Sequence, residues 1–363
     1  MSALDSEGPR VVAFYLPHFY SGPALPGRLP AAAGDAGAWQ QLASARALFP
    51  GHDQPRVPAD LGYCDLRVPE VRLAQADLAR AYGIDAFCYF HYWCAGRRQF
   101  ERPFTEVLAS GEPDFPFCLC WANESRADSG LSREEARADE LAHAAVLAAA
   151  FADPRYLRVG GRPVFVVRRP RELADAAATL GAIREAAADL GVGDPLLLGS
   201  GGGFDAELDW PSLDREWDAP RGTALEPAPR EFGNLLRLRR WLPRLAVQKE
   251  RAARQRFAAP QAVADAAGSI PVVLSGWDDT PARGGSGTVL TDRDPELFHR
   301  DLLAALRRAE SAPEPQRMVF LFAWNAWLQG AALEPDRRFG RAYLAAVARA
   351  RIRFSPPDER ARR

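Results

Sequence analysis

The acidic side chains best placed for chemistry in this sequence stand beside tryptophans. Glu124 follows Trp121 by three residues, and Asp278 directly follows Trp277. A carboxyl group can protonate a leaving oxygen, act as a base or act as a nucleophile, which are the roles that cleavage or transfer of a glycosyl group requires. Glu124 and Asp278 are therefore the candidate catalytic acids. The alternative for Glu124 is a carboxylate that accepts a sugar hydroxyl or pairs with a cation.

Aromatic, imidazole and amide side chains form the candidate binding surface. Aromatic faces stack on the C–H faces of sugars, while amides and imidazoles hydrogen-bond to sugar hydroxyl groups. The candidate substrate-binding residues are Tyr15, His18, His91, Tyr92, Trp93, Trp121, Asn123, Trp277, Trp324, Asn325 and Trp327. The alternative is that these large rings fill the end of a folded domain without contacting a ligand.

Three further acids stand near the ends of predicted strands. Asp279 shares a turn with Asp278, and we expect at least one of the two carboxylates to cap that turn. Glu334 precedes a proline, which is typical of a loop or of the first turn of a helix. Glu216 lies in a segment with only a weak strand pattern. None of these three is a leading catalytic candidate.

Metal and cofactor motifs are missing from the sequence. The five histidines, His18, His52, His91, His143 and His299, show neither HxH nor HExxH spacing, so we expect no metal site and no cofactor. The five cysteines form no CxxC pair, which favours buried free thiols over a metal or redox centre.

The elements that position these residues alternate between short apolar strands and longer helical stretches. This pattern is typical of a parallel sheet buried on both faces. The predicted strands are Val11–Phe19, Ala86–Trp93, Phe117–Asn123, Pro163–Arg169, Leu196–Ser200, Glu216–Ala219, Pro271–Trp277 and Met318–Trp324. A doubly wound sheet is the main competitor, but no GxGxxG follows the first strand. We therefore predict an α/β fold, a single-domain (β/α)8 TIM barrel, with its site at the carboxyl ends of the strands.

Composition and charge exclude several classes of protein. The 363 residues include 46 basic and 47 acidic side chains, and 47% of the residues are hydrophobic. A net charge of −1 gives no bulk attraction to nucleic acid, so no nucleic-acid partner is expected. The longest weakly apolar run, Leu141–Ala152, is about half the roughly 20 residues of a membrane span. Without a signal-peptide pattern at the N-terminus, we expect a cytoplasmic protein.

The barrel is expected to occupy residues 11–351, between a disordered N-terminus at 1–10 and a flexible tail at 352–363. Within it, residues 235–256 carry eight basic side chains and one acid, Glu250. This segment could associate peripherally with a membrane or with an anionic partner. The alternative is a solvated helix packed on the barrel.

Several multi-residue phrases resemble the WbsX family, which is related to glycoside hydrolase family 99. The phrases are AFYLPH (13–18), FPGH (49–52), PADLGY (58–63), FCYFHYW (87–93), EPDFPFCLCWANE (112–124), SGWDDTP (275–281) and LEPD (333–336). The resemblance covers nearly the whole chain. It implies a (β/α)8 fold and a role in bacterial surface polysaccharide such as O-antigen or capsule. The substrate that it implies is a glycan or sugar, with a nucleotide-sugar donor if the protein is a transferase.

The sequence departs from that family at the positions of its catalytic glutamates. The eighth strand of family members usually ends Asn-Glu-Trp-x-Glu-Gly, whose two glutamates correspond to the catalytic pair of the related hydrolases. Ala326 and Gln329 stand at those two positions here, and a third family glutamate falls on Ala38. Alanine cannot carry a proton, and a glutamine amide neither titrates nor acts as an acid. The family mechanism therefore does not transfer to positions 326 and 329.

Two hypotheses remain open at this point. One is an enzyme, a glycosyltransferase or a protein like the retaining glycoside hydrolases, that uses other acids. The other is a glycan-binding protein that no longer turns its ligand over. A third, less favoured hypothesis is a scaffold that acts through residues 235–256.

Overall fold

Eight parallel strands close into a barrel in the computed structural model, which describes residues 8–20, 37–94, 96–123, 131–210, 268–284, 287–290 and 294–354. The barrel strands, β1 to β8 in chain order, are Arg10–Tyr15, Ala86–Cys94, Phe117–Trp121, Arg162–Val167, Leu196–Gly199, Ala206–Asp209, Ser269–Leu274 and Met318–Phe322. Each strand pairs in parallel with the next, and β8 pairs with β1. The ring is closed, so the barrel has no free sheet edge.

Helices follow most of the strands and cover the outside of the barrel. In chain order, α1 to α8 are Ala38–Ser44, Pro69–Ala81, Arg102–Ser110, Arg133–Phe151, Ala176–Asp189, Thr280–Arg283, Pro295–Glu310 and Ala342–Ile352. Two 3-10 turns, Pro170–Glu172 and Trp327–Gln329, lie after β4 and β8. Short antiparallel pieces add to this frame, at Arg97–Gln99, Arg158–Val159, Asn325–Ala326 and Ala331–Ala332.

The strands are buried because their residues are apolar on both faces. Every residue of β3, β5 and β8 is buried, as parallel strands between a barrel core and a helical layer require. Ser132 caps the start of α4 in a capping box: its side chain accepts from the Glu135 backbone N–H, and the Glu135 side chain accepts from the Ser132 backbone N–H. The apolar strands and the capping residues therefore indicate the same elements that the barrel contains.

The predicted TIM barrel in a single domain is confirmed, but the sixth strand was wrongly located. The structure builds β6 from Ala206–Asp209, where Ala-Glu-Leu-Asp has no β-branched or aromatic residue to indicate a strand. The predicted strand Glu216–Ala219 lies outside the described residues, as does the basic segment 235–256. Residues 1–7 and 355–363 also lie outside them, so disorder at the two ends of the chain stays a prediction.

Among the cysteine side chains that the structure describes, Cys64, Cys88, Cys118 and Cys120 are free and buried, as the cysteine pattern predicts. Within the described part of the chain, no group of three or more histidine, cysteine or acidic side chains is arranged to hold a metal ion.

Candidate functional site

The interior of the barrel, near the carboxyl ends of its strands, is lined by aromatic rings. Phe14 on β1 contacts Phe90 on β2 at 5.5 Å between ring centroids, and Phe320 and Phe322 on β8 at 5.2 and 6.1 Å. The ring of Trp210, directly after β6, stacks on Phe14 at 4.8 Å. Because Phe14 contacts rings from β2, from β8 and from the residue after β6, these side chains point into the barrel.

A second set of contacts continues this aromatic lining around the mouth. Tyr92 stacks on Phe90 at 6.2 Å, and the Arg168 guanidinium lies over the rings of Phe90 and Trp210 at 5.6 and 5.7 Å. Trp277, which follows β7, stacks on Phe322 at 5.8 Å. Of the predicted binding residues, Tyr92 and Trp277 therefore lie in the interior lining. Burial raises the pKa of Tyr92, so its hydroxyl stays protonated.

Three other predicted binding residues face outward, toward α4. The ring of His143 on α4 stacks on His91 at 4.9 Å and on Trp93 at 5.0 Å, and it meets Trp121 edge-on at 4.4 Å. Nε2 of His91 and Nε2 of His143 lie 2.8 Å apart, and Trp93 Nε1 donates to the Asp139 carboxylate at 3.0 Å. Burial lowers the pKa of His91 to about 3. This cluster joins β2 and β3 to the outer helix.

The two predicted asparagines tie neighbouring strand ends together. The Asn325 amide accepts from Leu16 N at 2.8 Å and donates to Leu16 O at 2.9 Å, which links the end of β8 to that of β1. The Asn123 amide accepts from Arg169 N at 3.0 Å and donates to Arg169 O at 2.7 Å, which links β3 to β4. Both amides therefore satisfy buried backbone groups with both of their polar ends.

Asp278, one of the two candidate catalytic acids, is surrounded by hydrogen-bond donors. Its Oδ2 accepts from His52 Nε2 at 2.8 Å and Gln54 Nε2 at 2.7 Å. Its Oδ1 accepts from Thr280 N at 3.1 Å and Thr280 Oγ1 at 2.6 Å. His52 Nδ1 accepts from Leu48 N, which leaves Nε2 as the protonated donor. Burial raises the pKa of Asp278, but these donors outweigh it and the net pKa is lowered. The carboxylate stays charged and caps the predicted turn.

Asp279 also serves the turn. Its Oδ1 accepts from Thr288 N at 2.6 Å, and Arg283 lies 3.4 Å from Oδ2. Burial raises the pKa of Asp279 to about 6, against the pull of the Thr288 and Arg283 contacts. Both carboxylates of the turn are therefore engaged by protein groups.

Glu334 forms a buried polar network that sequence reasoning missed. Gln75 Nε2 on α2 donates to Glu334 Oε1 and Trp327 Nε1 donates to Oε2, both at 2.6 Å. Tyr15 Oη donates to Gln75 Oε1 at 2.7 Å, so Tyr15 faces α2 and not the interior. Burial raises the pKa of Glu334 to about 7, although the hydrogen bonds from Gln75 and Trp327 act in the opposite direction. The network fixes the Trp327 indole, whereas Trp324 packs against Phe87 at 5.2 Å between ring centroids.

The β8 loop itself packs tightly against the β7 end. Asp278 N donates to Gln329 O at 2.7 Å, and Gly330 adopts a φ of +60°. A Cβ built on Gly330 would lie 2.7 Å from the Asp278 Cβ, so this position requires glycine. Ala326 is fully buried, and Gln329 is 6% exposed with no described hydrogen-bond partner for its Oε1.

His18 lies just after β1, with its ring against Phe19 at 4.6 Å and Phe100 at 5.6 Å. Burial lowers the pKa of His18 to about 4, which keeps the imidazole neutral near pH 7. Glu124 and Glu216 lie outside the described residues, so the proposed roles of these acids stay predictions. Sequence reasoning also missed Arg168 and Trp210. The place of Arg168 at the end of the fourth predicted strand was an available signal. Trp210 follows β6, which the sequence did not indicate, so it had no such signal.

Solved structures share this fold at low sequence identity. A chain described as a glycoside hydrolase-like protein matches with a TM-score of 0.54 and 16% identity, covering 96% of each chain. The GH99 endo-alpha-mannosidase from Bacteroides thetaiotaomicron matches with a TM-score of 0.51 and 16% identity, covering 97% of this chain and 98% of that one. The class defined by the fold and the site is a GH99-like (β/α)8 barrel with an aromatic site at its mouth.

Sequence comparisons narrow that class to a family. The family model of glycosyltransferase WbsX matches residues 11–347, so the chain belongs to the WbsX family of carbohydrate-active proteins. The uncharacterized protein WxcX from Xanthomonas campestris pv. campestris is 36% identical over 370 residues, and its counterpart in strain B100 is 34% identical over 380. Each alignment covers 94% of this chain but 50% of the relative, so the chain spans about half the length of these relatives.

Within the described ranges, every helix is too short or too polar to cross a lipid bilayer.

Proposed function

We propose that this barrel binds a glycan during the assembly of bacterial surface polysaccharide without cleaving it through the carboxylate pair of its relatives. The observation that carries the proposal is the β8 loop, where Ala326 and Gln329 occupy the positions of that pair by resemblance. Gln329 keeps a buried amide with an unpartnered oxygen, which suits hydrogen bonding to a ligand better than proton transfer.

The described carboxylates near the mouth support this proposal. Asp278 accepts four hydrogen bonds and Asp279 supports the same turn. Glu334 accepts from Gln75 on the outer helix α2 and from Trp327. Within the described part of the mouth, the carboxylates of these three acids therefore form hydrogen bonds that stabilise the fold. Losing one general acid or base costs a glycosyl-group reaction roughly 10²- to 10⁴-fold in rate.

The family name favours a second candidate, a glycosyltransferase in which Glu124 supplies the carboxylate. Glu124 follows directly on Asn123, whose amide fixes the end of β3 against β4. A carboxylate there would stand at the carboxyl end of a barrel strand, where catalytic groups of such barrels lie. The two candidates differ in one measurable quantity, the turnover of bound glycan.

The experiment measures retention and turnover of the same ligands. The purified chain is mixed with α-mannosyl oligosaccharides, chosen for the mannosidase of shared fold, and with O-polysaccharide fragments, each with and without GDP-mannose or UDP-glucose. Native mass spectrometry reports bound glycan, and mass spectra of the supernatant report products. We expect bound glycan and no product.

Glu124→Gln, run in parallel, separates the candidates. Equal retention by both proteins with no product supports the binding role. A product that the wild-type chain forms and Glu124→Gln does not would establish the enzyme and contradict the proposal.

A further inference from the structure

The outer face of β6 is the least covered part of the barrel wall. Of the barrel-strand residues whose burial the structure describes, only Glu207 in β6 is exposed. The Trp210 ring, directly after β6, stacks on Phe14 inside the barrel. Because side chains alternate along a strand, Leu208 also faces inward, whereas Glu207 and Asp209 face outward. Strands of a parallel barrel normally lie between the core and a layer of helices, and within the described part of the chain this layer is incomplete outside β6.

The acids on either side of Glu207 pair with arginines of two different helices. Asp205, directly before β6, has its Oδ2 3.0 Å from Arg184 Nη2 on α5. Asp209 Oδ2, at the end of β6, lies 3.7 Å from Arg308 Nη1 on α7. Glu207 stands between these two acids and forms no hydrogen bond or ion pair with any described residue. The arginines of α5 and α7 therefore reach both ends of β6 but leave its central carboxylate without a described cation.

The order of the elements shows which part of the chain can cover this face. The connection from β5 to β6, residues 200–205, contains no helix. The helix α5 packs against α4, and α7 packs against β7 and α8. In a (β/α)8 barrel, the outer layer beside a strand comes from the segment that follows that strand. The segment able to complete the layer outside β6 therefore lies within residues 211–267, between β6 and β7.

One part of that connection has the charge that complements the acids of β6. Residues 235–256 carry eight basic side chains and one acid, Glu250. They also include apolar residues such as Leu238 and Trp241, so the segment has side chains for packing as well as for ion pairs. Because the connection is joined to β6 at one end and to β7 at the other, the segment has a high effective concentration at this face.

We propose that residues 235–256 dock on the outer face of β6 and place a basic side chain against Glu207. This inference assigns a partner within the same chain to a segment whose composition also suits an anionic membrane. It does not depend on glycan binding, so the docking and the proposed function can each fail without the other.

The test is zero-length cross-linking, for which this chain is well suited because Lys249 is its only lysine. A water-soluble carbodiimide joins a carboxylate to an amine with no spacer, so the two groups have to be in contact. Peptide mass spectrometry then identifies the carboxylate that the segment touches. In further variants Lys249 is changed to arginine and one arginine of the segment at a time is changed to lysine, so that every basic position is sampled. We expect a cross-link to Glu207 from at least one position.

Two substitutions control the cross-linking. Glu207→Gln removes the carboxylate and should abolish the cross-link at position 207. Glu70→Gln is the matched control, because it removes an exposed carboxylate on α2, between β1 and β2 in the chain, and neither of these strands pairs with β6. We expect Glu70→Gln to leave the cross-link unchanged.

The rate at which trypsin first cuts within residues 235–256 is a second readout. Exposed ion pairs change an equilibrium by up to about fivefold, and the rate of cutting follows the population of the undocked segment. We expect Glu207→Arg to speed this cut about two- to fivefold and Glu70→Arg to leave its rate unchanged.

The outcomes separate this docking from the other partners of the segment. A cross-link within one chain that Glu207→Gln abolishes supports the proposal. If no position of the segment reaches Glu207 and both arginine variants are cut at the wild-type rate, the docking is wrong. Cross-links between ¹⁵N-labelled and unlabelled chains would assign the face to a second copy and overturn the proposal. Sedimentation with phosphatidylserine vesicles, without the cross-link in the free chain, would assign the segment to a membrane and also overturn it.

Discussion

Glu334 makes the stability of this barrel depend on pH in a direction opposite to that of most carboxylates. The side chain is buried, and burial raises its pKa from the ordinary 4.5 to about 7. The folded state therefore binds a proton that the unfolded state releases between these two pH values. Its contribution to stability is fully present below pH 4.5 and is lost as the pH rises to 7.

The magnitude follows from the size of this shift. At about 1.4 kcal/mol for each pKa unit, the stability linked to Glu334 falls by about 3 kcal/mol between pH 4.5 and pH 7.5. Glu334→Gln abolishes this titration. A glutamine amide can still bond to Gln75, because the Gln75 amide can turn to present its oxygen. We expect the variant to gain about 3 kcal/mol relative to the wild-type chain as the pH rises through this window.

Urea unfolding at pH 4.5, 5.5, 6.5 and 7.5, followed by tryptophan fluorescence, measures this difference. Other groups titrate in the same range, but they cancel when the variant is compared with the wild-type chain at each pH. Glu310→Gln is the matched control, because it removes an exposed carboxylate at the end of α7, outside the Glu334 network. If the difference between Glu334→Gln and the wild-type chain were constant with pH, the assigned protonation of Glu334 would be refuted.

Three further predictions concern the strand ends. Asn325→Leu leaves Leu16 N and O unpaired, so we expect the free energy of unfolding in urea to fall by about 2–4 kcal/mol. An unchanged free energy of unfolding would contradict the link between β8 and β1. Gly330→Ala places a Cβ 2.7 Å from the Asp278 Cβ in a residue whose φ is +60°. We expect the free energy of unfolding in the same assay to fall by at least about 1 kcal/mol. A variant as stable as the wild-type chain would refute this close approach. Asp278→Asn removes a carboxylate whose pKa is lowered in the folded state. We expect the substitution to lower the free energy of unfolding at pH 7, and to lower it less below pH 4. A loss that is the same at both pH values would contradict the charged state of Asp278.

Much of the architecture could be predicted from the sequence. Apolar runs of four to nine residues with helical stretches between them indicate a parallel barrel, and the strand ends collect polar and aromatic residues. The strand β6 could not be predicted, because Ala206–Asp209 is short and has weak strand propensity. Its position comes from pairing with β5 and β7 on either side.

The direction of each side chain was harder to predict than its strand. Side chains alternate along a strand, so Tyr92 faces the barrel interior while His91 and Trp93 face outward. A strand that is apolar on both faces does not show in its sequence which of the two sets faces the interior. The role of Glu334 depends on Gln75, a residue 259 positions away in the chain, which no local pattern indicates. Fewer of the predicted binding residues therefore face the barrel interior than the sequence alone suggested.

We propose that this barrel holds a glycan without the glutamate pair that the family resemblance implies. Native mass spectrometry with α-mannosyl oligosaccharides and O-polysaccharide fragments, with and without sugar donors, tests that claim most directly. We expect a glycan to be retained by the wild-type chain and by Glu124→Gln, with no product from either. A new product that the wild-type chain forms and Glu124→Gln does not would contradict the proposed binding function.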